Sequence, residues 1–254
     1  MYHTTGLSRE EIVELTELVE RCSFEAGEMI GCPPSLGLFG GVCVTLMYLR
    51  RNRTQFELAE QYETSQPTIS RAISCITPWL DRVLVPEVPV AEELSLDEQY
   101  IVDGTLLPCW SWVDRPELYS GKRKTTGVNV QVVCDVYGRL RWVSDPVDGC
   151  RHDSAAIGLP GVLDGMDLSN WFGDLGYLGT GVLTPVRKPR GHDFADSDTE
   201  YNTAFNAVRA TVERVIAHLK TWRIFHTDYR RPFHTFATTI SAVIGLEFFR
   251  NNAE

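Results

Sequence analysis

The chain has 254 residues, of which 43% are hydrophobic and 23% charged, so it can bury a substantial core in one or two domains. It has no uninterrupted apolar stretch of about 18 residues and no basic-then-apolar N-terminal order, which argues against a membrane span and a secretion signal. We therefore expect a cytoplasmic protein, associated with the nucleoid if it is bacterial, and the net charge of −10 means that any nucleic-acid contact must depend on local basic surface.

The seven cysteines are scattered along the chain and form no CxxC pair. This pattern is typical of free thiols in a reducing compartment. A zinc site through Cys150 and His152 is the alternative interpretation.

The first part of the chain has helical periodicity. Ser8 and Glu11 form a capping-box pattern, and apolar residues then recur at helical spacing at Ile12, Leu15, Leu18 and Val19. After Pro33-Pro34, a second apolar run predicts a buried helix that ends near Arg51.

Residues 54–73 have the pattern of a helix-turn-helix. The second helix would begin near Gln66, with Pro67 in its first turn, where a proline is tolerated. The core between the two helices would contain Leu58, Ala59, Ile69 and Ile73. The residues expected to face outward, where they could bond base edges or phosphates, are Gln66, Thr68, Ser70 and Arg71. The same pattern also fits a helical hairpin that serves only packing or dimerisation.

Prolines and acidic residues around position 90 predict a linker, which divides the chain into a helical domain (1–90) and a second domain (91–254). Beyond the linker, the alternation predicts strands at 99–103, 106–112, 127–136 and 139–145. A helix near Asp153 and a buried strand at 170–174 follow. The closing helices are expected at Asp198–Thr221 and Phe233–Phe249. This order of elements predicts a mixed α/β sheet.

Three acidic residues of the second domain lie in local sequences that suit the ligands of a metal-dependent nuclease. Asp103 and Asp174 each end a short apolar run, and Glu213 lies inside an amphipathic helix. On that helix, one stripe about 60° wide carries Asn206, Arg209, Glu213 and Lys220. The stripe beside it, which would face the core, carries Phe205, Val208, Val212, Ile216 and Leu219. A row of Arg, Glu and Lys suits a site that handles phosphate and metal together.

These residues resemble the DDE transposases, and most of all the IS5-like and Harbinger-like branch described as DDE superfamily endonucleases. The resemblance covers most of residues 95–250. It is carried by VDGT around Asp103, GDLGY around Asp174, the Arg209-x3-Glu213-x6-Lys220 spacing and the GCRHDS segment that begins at Gly149. Many relatives have a tyrosine three residues before the arginine, where this chain has Asn206.

The resemblance implies an RNase H-like catalytic domain, preceded by the all-α helix-turn-helix domain. It also implies two divalent ions, Mg²⁺ or Mn²⁺, that promote phosphodiester cleavage. Asp103 would bridge the ions, while Asp174 and Glu213 would each complete one coordination sphere. The resemblance also implies that phosphates are contacted by Arg151, Arg209 and Lys220. It implies that the site is supported by His152, Asp153 and Asn206.

The implied function is that of a transposase, which cleaves transposon ends and joins the 3′ hydroxyl to target DNA. Its partners would be double-stranded DNA, as terminal inverted repeats and as target, and further copies of the chain in an oligomer. Two alternatives stay open. One is a transposase-derived DNA-binding or regulatory protein without catalysis, and the other is a metal-dependent nuclease unrelated to transposition.

The distribution of charge along the chain affects whether this acidic protein can bind DNA. Residues 8–28 contain two Arg and seven Glu, a net charge of −5, whereas residues 205–231 contain six Lys and Arg against Glu213 and Asp228, a net charge of +4. Two further basic clusters lie at 122–124 and 187–190. Positive charge is thus gathered around the candidate catalytic segments, where it would favour DNA. Solvated surface charge alone would also explain each cluster.

Overall fold

The computed structural model of the chain describes residues 2–111, 113–151 and 167–252. The chain divides into two compact units, one of Met1–Val88 with Leu219–Glu254 and one of Pro89–His218. The division after Val88 lies beside the linker expected near residue 90. Residues 219–254, which the sequence analysis assigned to the second domain, fold with the first unit. The helix expected near Asp153 lies outside the described residues.

The first unit contains the predicted helices, and its last helix begins at Phe236, three residues later than expected. The helices of the described part are α1 (Tyr2–Thr5), α2 (Arg9–Ala26), α3 (Gly37–Arg51), α4 (Gln55–Gln61), α5 (Gln66–Leu84), α6 (Asp196–Leu219) and α7 (Phe236–Asn252). The predicted capping box at Ser8 is confirmed, and Thr54 and Ser65 cap α4 and α5. Among the described residues, no helix has both the length and the apolar character to cross a membrane.

The core of the first unit forms around α3, α5 and α7. Helix α3 is buried at every position from Gly41 to Leu49, which explains why its sequence is apolar on all sides. Beside it, the Nε1 of Trp222 donates a hydrogen bond to Glu247, whose carboxylate also pairs with Arg250 at 2.5 Å. The first unit therefore contains a buried, hydrogen-bonded ion pair.

The second unit is built on a mixed sheet. Its described strands are β1 (Tyr100–Pro108), β2 (Tyr119–Ser120), β3 (Thr125–Asp135), β4 (Leu140–Val143), β5 (Val147–Asp148) and β6 (Trp171–Phe172). Strand β1 pairs antiparallel with β3 and parallel with β6, and β3 pairs along its other edge with β2, β5 and β4. Two strands predicted at 99–103 and 106–112 are one strand, because Gly104 stays extended and pairs with Gln131.

The two faces of the sheet have different roles. One face carries Tyr100, Val102 and Val133 into an apolar core with Trp142, Trp171 and Tyr177. The other face carries Asp103 and contacts α6, where the rings of Phe172 and Phe205 lie 5.5 Å apart. The predicted mixed α/β fold with a helical N-terminal region is therefore confirmed, and α6 is the helix that overlies the acidic face.

Candidate active site

Asp103 and Asp174 occupy matching positions relative to the parallel pair formed by β1 and β6, and Asp174 lies just beyond the end of β6. The last paired residues of β1 and β6 are Ile101 and Phe172, and each aspartate follows two residues later. Because side chains alternate along an extended chain, each aspartate lies on the same face as its paired residue. Parallel strands are about 4.8 Å apart, so this register brings the two segments that carry the aspartates to the same part of the sheet.

A backbone amide fixes each carboxylate. The N–H of Gly104 donates to Oδ1 of Asp103 at 2.9 Å, and the N–H of Gly176 donates to Oδ1 of Asp174 at 2.7 Å. Asp174 also caps a 3₁₀ turn formed by Leu175–Tyr177. Each aspartate thus has one oxygen engaged by the adjacent backbone, which holds the side chain in a defined orientation.

Helix α6 brings a cation to this acidic pair. Nη2 of Arg209 lies 3.9 Å from Oδ2 of Asp103, and the two side chains are 14% and 21% exposed. The Nε of Arg209 is buried and has no hydrogen-bond partner within the described part of the chain. The guanidinium therefore lies against the carboxylate without a complete set of hydrogen bonds of its own.

The third acid lies on helix α6. Glu213 is exposed and lies one helical turn beyond Arg209 on α6, while Asn206 is exposed on the preceding turn. No group of three or more His, Cys, Asp or Glu side chains among the described residues is arranged to hold a metal ion. The structure thus places Arg209 against Asp103, with Asp174 two residues beyond the paired end of the neighbouring strand and Glu213 one turn from Arg209 on α6.

The donor types nevertheless fit a divalent cation. The carboxylate oxygens of Asp103 and Asp174 are hard donors, which Mg²⁺ and Mn²⁺ prefer. Glu213 would add a third donor of the same type. The chemistry of these residues therefore fits the metal, although the arrangement described is not a closed metal site.

The remaining predicted residues fall in several places. Arg151 is exposed in the turn after β5, and Lys220 directly follows the end of α6, in the first unit. His152 and Asp153 lie outside the described residues, so their predicted support stays a prediction, as does the zinc alternative through His152.

The helix-turn-helix core is as predicted, since Leu58, Ala59, Ile69 and Ile73 are all buried. One outward residue is corrected. Thr68 is only 7% exposed, because it shares a face of α5 with Ala72 and Ile76, and its hydroxyl bonds that of Ser65 at 2.9 Å.

The three other polar residues of α5 that were predicted to contact DNA differ in their solvent exposure. Arg71 is exposed, and its Nε donates to the carbonyl of Pro67 at 3.3 Å. Ser70 is half-buried, and so is Gln66, whose amide nitrogen donates to the side-chain oxygen of Gln55. Arg71 is thus the most accessible of the four residues predicted to contact DNA.

Two positioning residues were missed by the sequence analysis. The buried hydroxyl of Tyr177 donates to Oε1 of Gln131, which pairs with Gly104 across the sheet. This bond ties the turn that begins at Asp174 to the strand beside Asp103. The sequence did indicate a role for Gln131, because it is a polar residue inside a valine-rich strand. A buried side-chain amide requires a hydrogen-bond partner.

Comparison with known proteins is consistent with this geometry. Residues 102–246 match the family described as DDE superfamily endonuclease, and residues 34–86 match the helix-turn-helix of DDE superfamily endonuclease. A protein described as transposase for insertion sequence element IS112 of Streptomyces albus G is 33% identical over 87% of this chain and 83% of its own length. Another, described as transposase for insertion sequence element IS702 of Microchaete diplosiphon, is 24% identical over 95% of this chain and 91% of its own length. No solved structure matches the chain.

The family match covers more than half of the chain and begins one residue before Asp103. It confirms the predicted RNase H-like catalytic domain and the helix-turn-helix region, and it identifies a class of enzymes that use divalent metal ions. The chain belongs to the DDE superfamily endonucleases.

Proposed function

We propose that this protein is a transposase of the IS5-like and Harbinger-like branch, which nicks the ends of an insertion element and joins the 3′ hydroxyl to target DNA. The matched positions of Asp103 and Asp174 relative to the paired residues of β1 and β6 support this function most directly, since two hard donors in this register suit a shared metal site. The two relatives described as transposases support it independently.

The carboxylates would hold the metal in this proposal. Asp103, Asp174 and Glu213 would be the residues that hold the ions. Two bound Mg²⁺ or Mn²⁺ ions supply Lewis acidity to the scissile phosphate and lower the pKa of the attacking water. Glu213 closes the site from α6, because it lies one turn from Arg209, which already contacts Asp103.

The basic residues would act on the DNA backbone. Arg209 leaves Asp103 as DNA enters and contacts a phosphate, where a guanidinium can form two parallel hydrogen bonds. Arg151 and Lys220 add phosphate contacts, and Asn206, His152 and Asp153 support the site. These contacts compensate for the net charge of −10, which disfavours non-specific DNA binding.

The helix-turn-helix would recognise the terminal inverted repeats. Helix α5 presents Arg71 to solvent, with Gln66 and Ser70 partly accessible nearby. Strand transfer of two element ends requires them to be held together, so a homo-oligomer, such as a dimer, is part of the proposal.

The test is metal-dependent cleavage of DNA that carries the element ends. Wild type is compared with Asp103→Asn, which keeps an acceptor for the Gly104 amide but removes the charge, and with Asp145→Asn, which alters an exposed aspartate of the same unit. We expect nicking at the ends with Mg²⁺ or Mn²⁺, its loss in Asp103→Asn, and unchanged nicking in Asp145→Asn.

Each other outcome identifies an alternative. If wild type binds the element ends but does not cleave them, the protein is a transposase-derived regulatory protein. Cleavage without preference for the ends points to a general nuclease. Nicking that survives Asp103→Asn contradicts the proposed metal site.

A further inference from the structure

A cleft of about 480 Å³ lies in the second unit beside the aspartates. The residues that define it are Tyr119, Lys122, Arg123, Asn129, Cys150 and Arg151. Its volume is within the range of about 300–1,000 Å³ that is typical of small-molecule sites. It is therefore large enough for a single nucleotide.

The cleft adjoins the candidate active site. Gly104 and Gly176 line it, and these are the residues whose amides hold the carboxylates of Asp103 and Asp174. A group bound in the cleft would consequently lie against the backbone that orients both aspartates.

The walls are tied to each other by hydrogen bonds to backbone carbonyls. The N–H of Cys150 donates to the carbonyl of Glu117 at 3.0 Å, and Nδ2 of Asn129 donates to the carbonyl of Arg151 at 2.9 Å. Gly149 allows this close approach, since a Cβ there would lie 2.4 Å from the carbonyl oxygens of Gly127 and Leu118. The cleft is thus held open by a fixed backbone.

The charge of the cleft differs from that of the whole chain. Lys122, Arg123 and Arg151 line it, and none of the described lining residues carries a carboxylate. In a chain with a net charge of −10, this is a local concentration of cations suited to a phosphate. Tyr119 adds an aromatic ring that is 50% exposed, a surface on which a base can stack.

We propose that this cleft binds one unpaired nucleotide of the DNA strand next to the cleavage site. The proposal rests on the proposed function, since it names a substrate feature of the same enzyme. The base stacks on Tyr119, while Arg123 and Arg151 contact the flanking phosphates. An unpaired nucleotide is favoured over a duplex, because a base inside a duplex has both faces covered by its neighbours and cannot stack on a side chain.

The test compares binding of a short fluorescent oligothymidylate with that of a hairpin duplex of equal length, without metal. The variants are Tyr119→Leu, Arg123→Gln and Arg151→Gln in the full chain. The matched control is Lys124→Gln, a cation of the same turn that does not line the cleft. We expect each cleft variant to weaken single-strand binding about tenfold, with little effect on the duplex, and the control to bind as wild type.

A local readout uses Cys150, an exposed thiol in the wall of the cleft. We expect the oligothymidylate to slow alkylation of Cys150, followed by mass spectrometry, and the duplex to have little effect. Equal losses in all variants including Lys124→Gln, or unchanged alkylation at saturating oligothymidylate, would overturn the proposal.

The two proposals fail in distinguishable ways. End-specific nicking without single-strand binding contradicts only the cleft, whereas single-strand binding without nicking contradicts only the transposase function.

Discussion

The guanidinium of Arg209 faces the carboxylate of Asp103, with Nη2 3.9 Å from Oδ2 and both side chains largely enclosed. A divalent cation at Asp103 would have to approach the same carboxylate oxygens. Like charges repel strongly in a partly enclosed site, so Arg209 and the metal compete for Asp103. The competition ends when the guanidinium binds a phosphate of the DNA.

Arg209→Gln is therefore expected to separate metal binding from catalysis. Without the competing cation, Mn²⁺ should bind at least about threefold more tightly to the DNA-free protein, as measured by calorimetry. Nicking at saturating metal should fall about tenfold or more, because a phosphate contact is lost. Arg214→Gln, an exposed arginine on the same helix, is the control. Weaker Mn²⁺ binding in Arg209→Gln would show that the arginine supports the metal site.

Tyr177→Phe should loosen the turn that carries Asp174. The substitution removes the hydrogen bond from Tyr177 to buried Gln131, and a buried amide left unsatisfied costs about 1–3 kcal/mol. We expect a lower free energy of unfolding and faster hydrogen exchange at the amide of Gly176, which bonds Asp174. Tyr137→Phe, at a side chain that is 81% exposed, should leave both quantities unchanged. Unaltered exchange at Gly176 in Tyr177→Phe would mean that the bond does not position Asp174.

Glu247→Ala should be the most destabilising single change in the first unit. Glu247 and Arg250 are 2% and 3% exposed, 2.5 Å apart, and Glu247 also accepts from Trp222. The substitution removes a carboxylate that both Arg250 and Trp222 contact inside the core, and breaking a buried ion pair costs about 3–5 kcal/mol of the free energy of unfolding, as measured by urea denaturation. Replacement of both, in Glu247→Leu with Arg250→Met, should recover most of that loss. A double variant as unstable as Glu247→Ala would contradict this explanation.

Asp81 should make stability depend on pH. Burial raises the pKa of its carboxyl above the ordinary value of 3.8, and a hydrogen bond from Ser241 only partly opposes this. The folded chain then holds the proton more tightly than the unfolded chain, so this contribution to stability is present at low pH and is lost as the pH rises through the folded pKa. Asp81→Asn should therefore be more stable than wild type in urea at neutral pH, with the difference vanishing in acid. A difference that persists in acid would mean that the effect is not one of ionisation.

The sequence predicted those features that local patterns encode. A capping residue such as Ser8 satisfies backbone groups a few positions away, so its pattern is visible in a short segment. The apolar runs before Asp103 and Asp174 were visible for the same reason, but Asp103 lies inside β1 and does not end a strand. Thr68 was misassigned because its burial depends on which face of α5 meets the neighbouring helices, and this is a property of packing. The contacts of Arg209 with Asp103 and of Tyr177 with Gln131 join distant segments, so only the folded chain shows them.

Arg71 should contribute to DNA binding through phosphate contact. It is exposed near the start of α5, whereas Arg82, near the other end of the same helix, is paired with Glu28 at 3.1 Å. A single phosphate contact contributes about 0.9 to the slope of log K against log salt concentration on B-DNA. Arg71→Gln is therefore expected to lower the affinity for element ends and to reduce the slope by about 1, as measured by anisotropy over a salt series. Arg82→Gln should change neither quantity. A slope that is unchanged in Arg71→Gln would show that this end of α5 does not contact the DNA backbone, and would favour the role of the hairpin in packing or dimerisation.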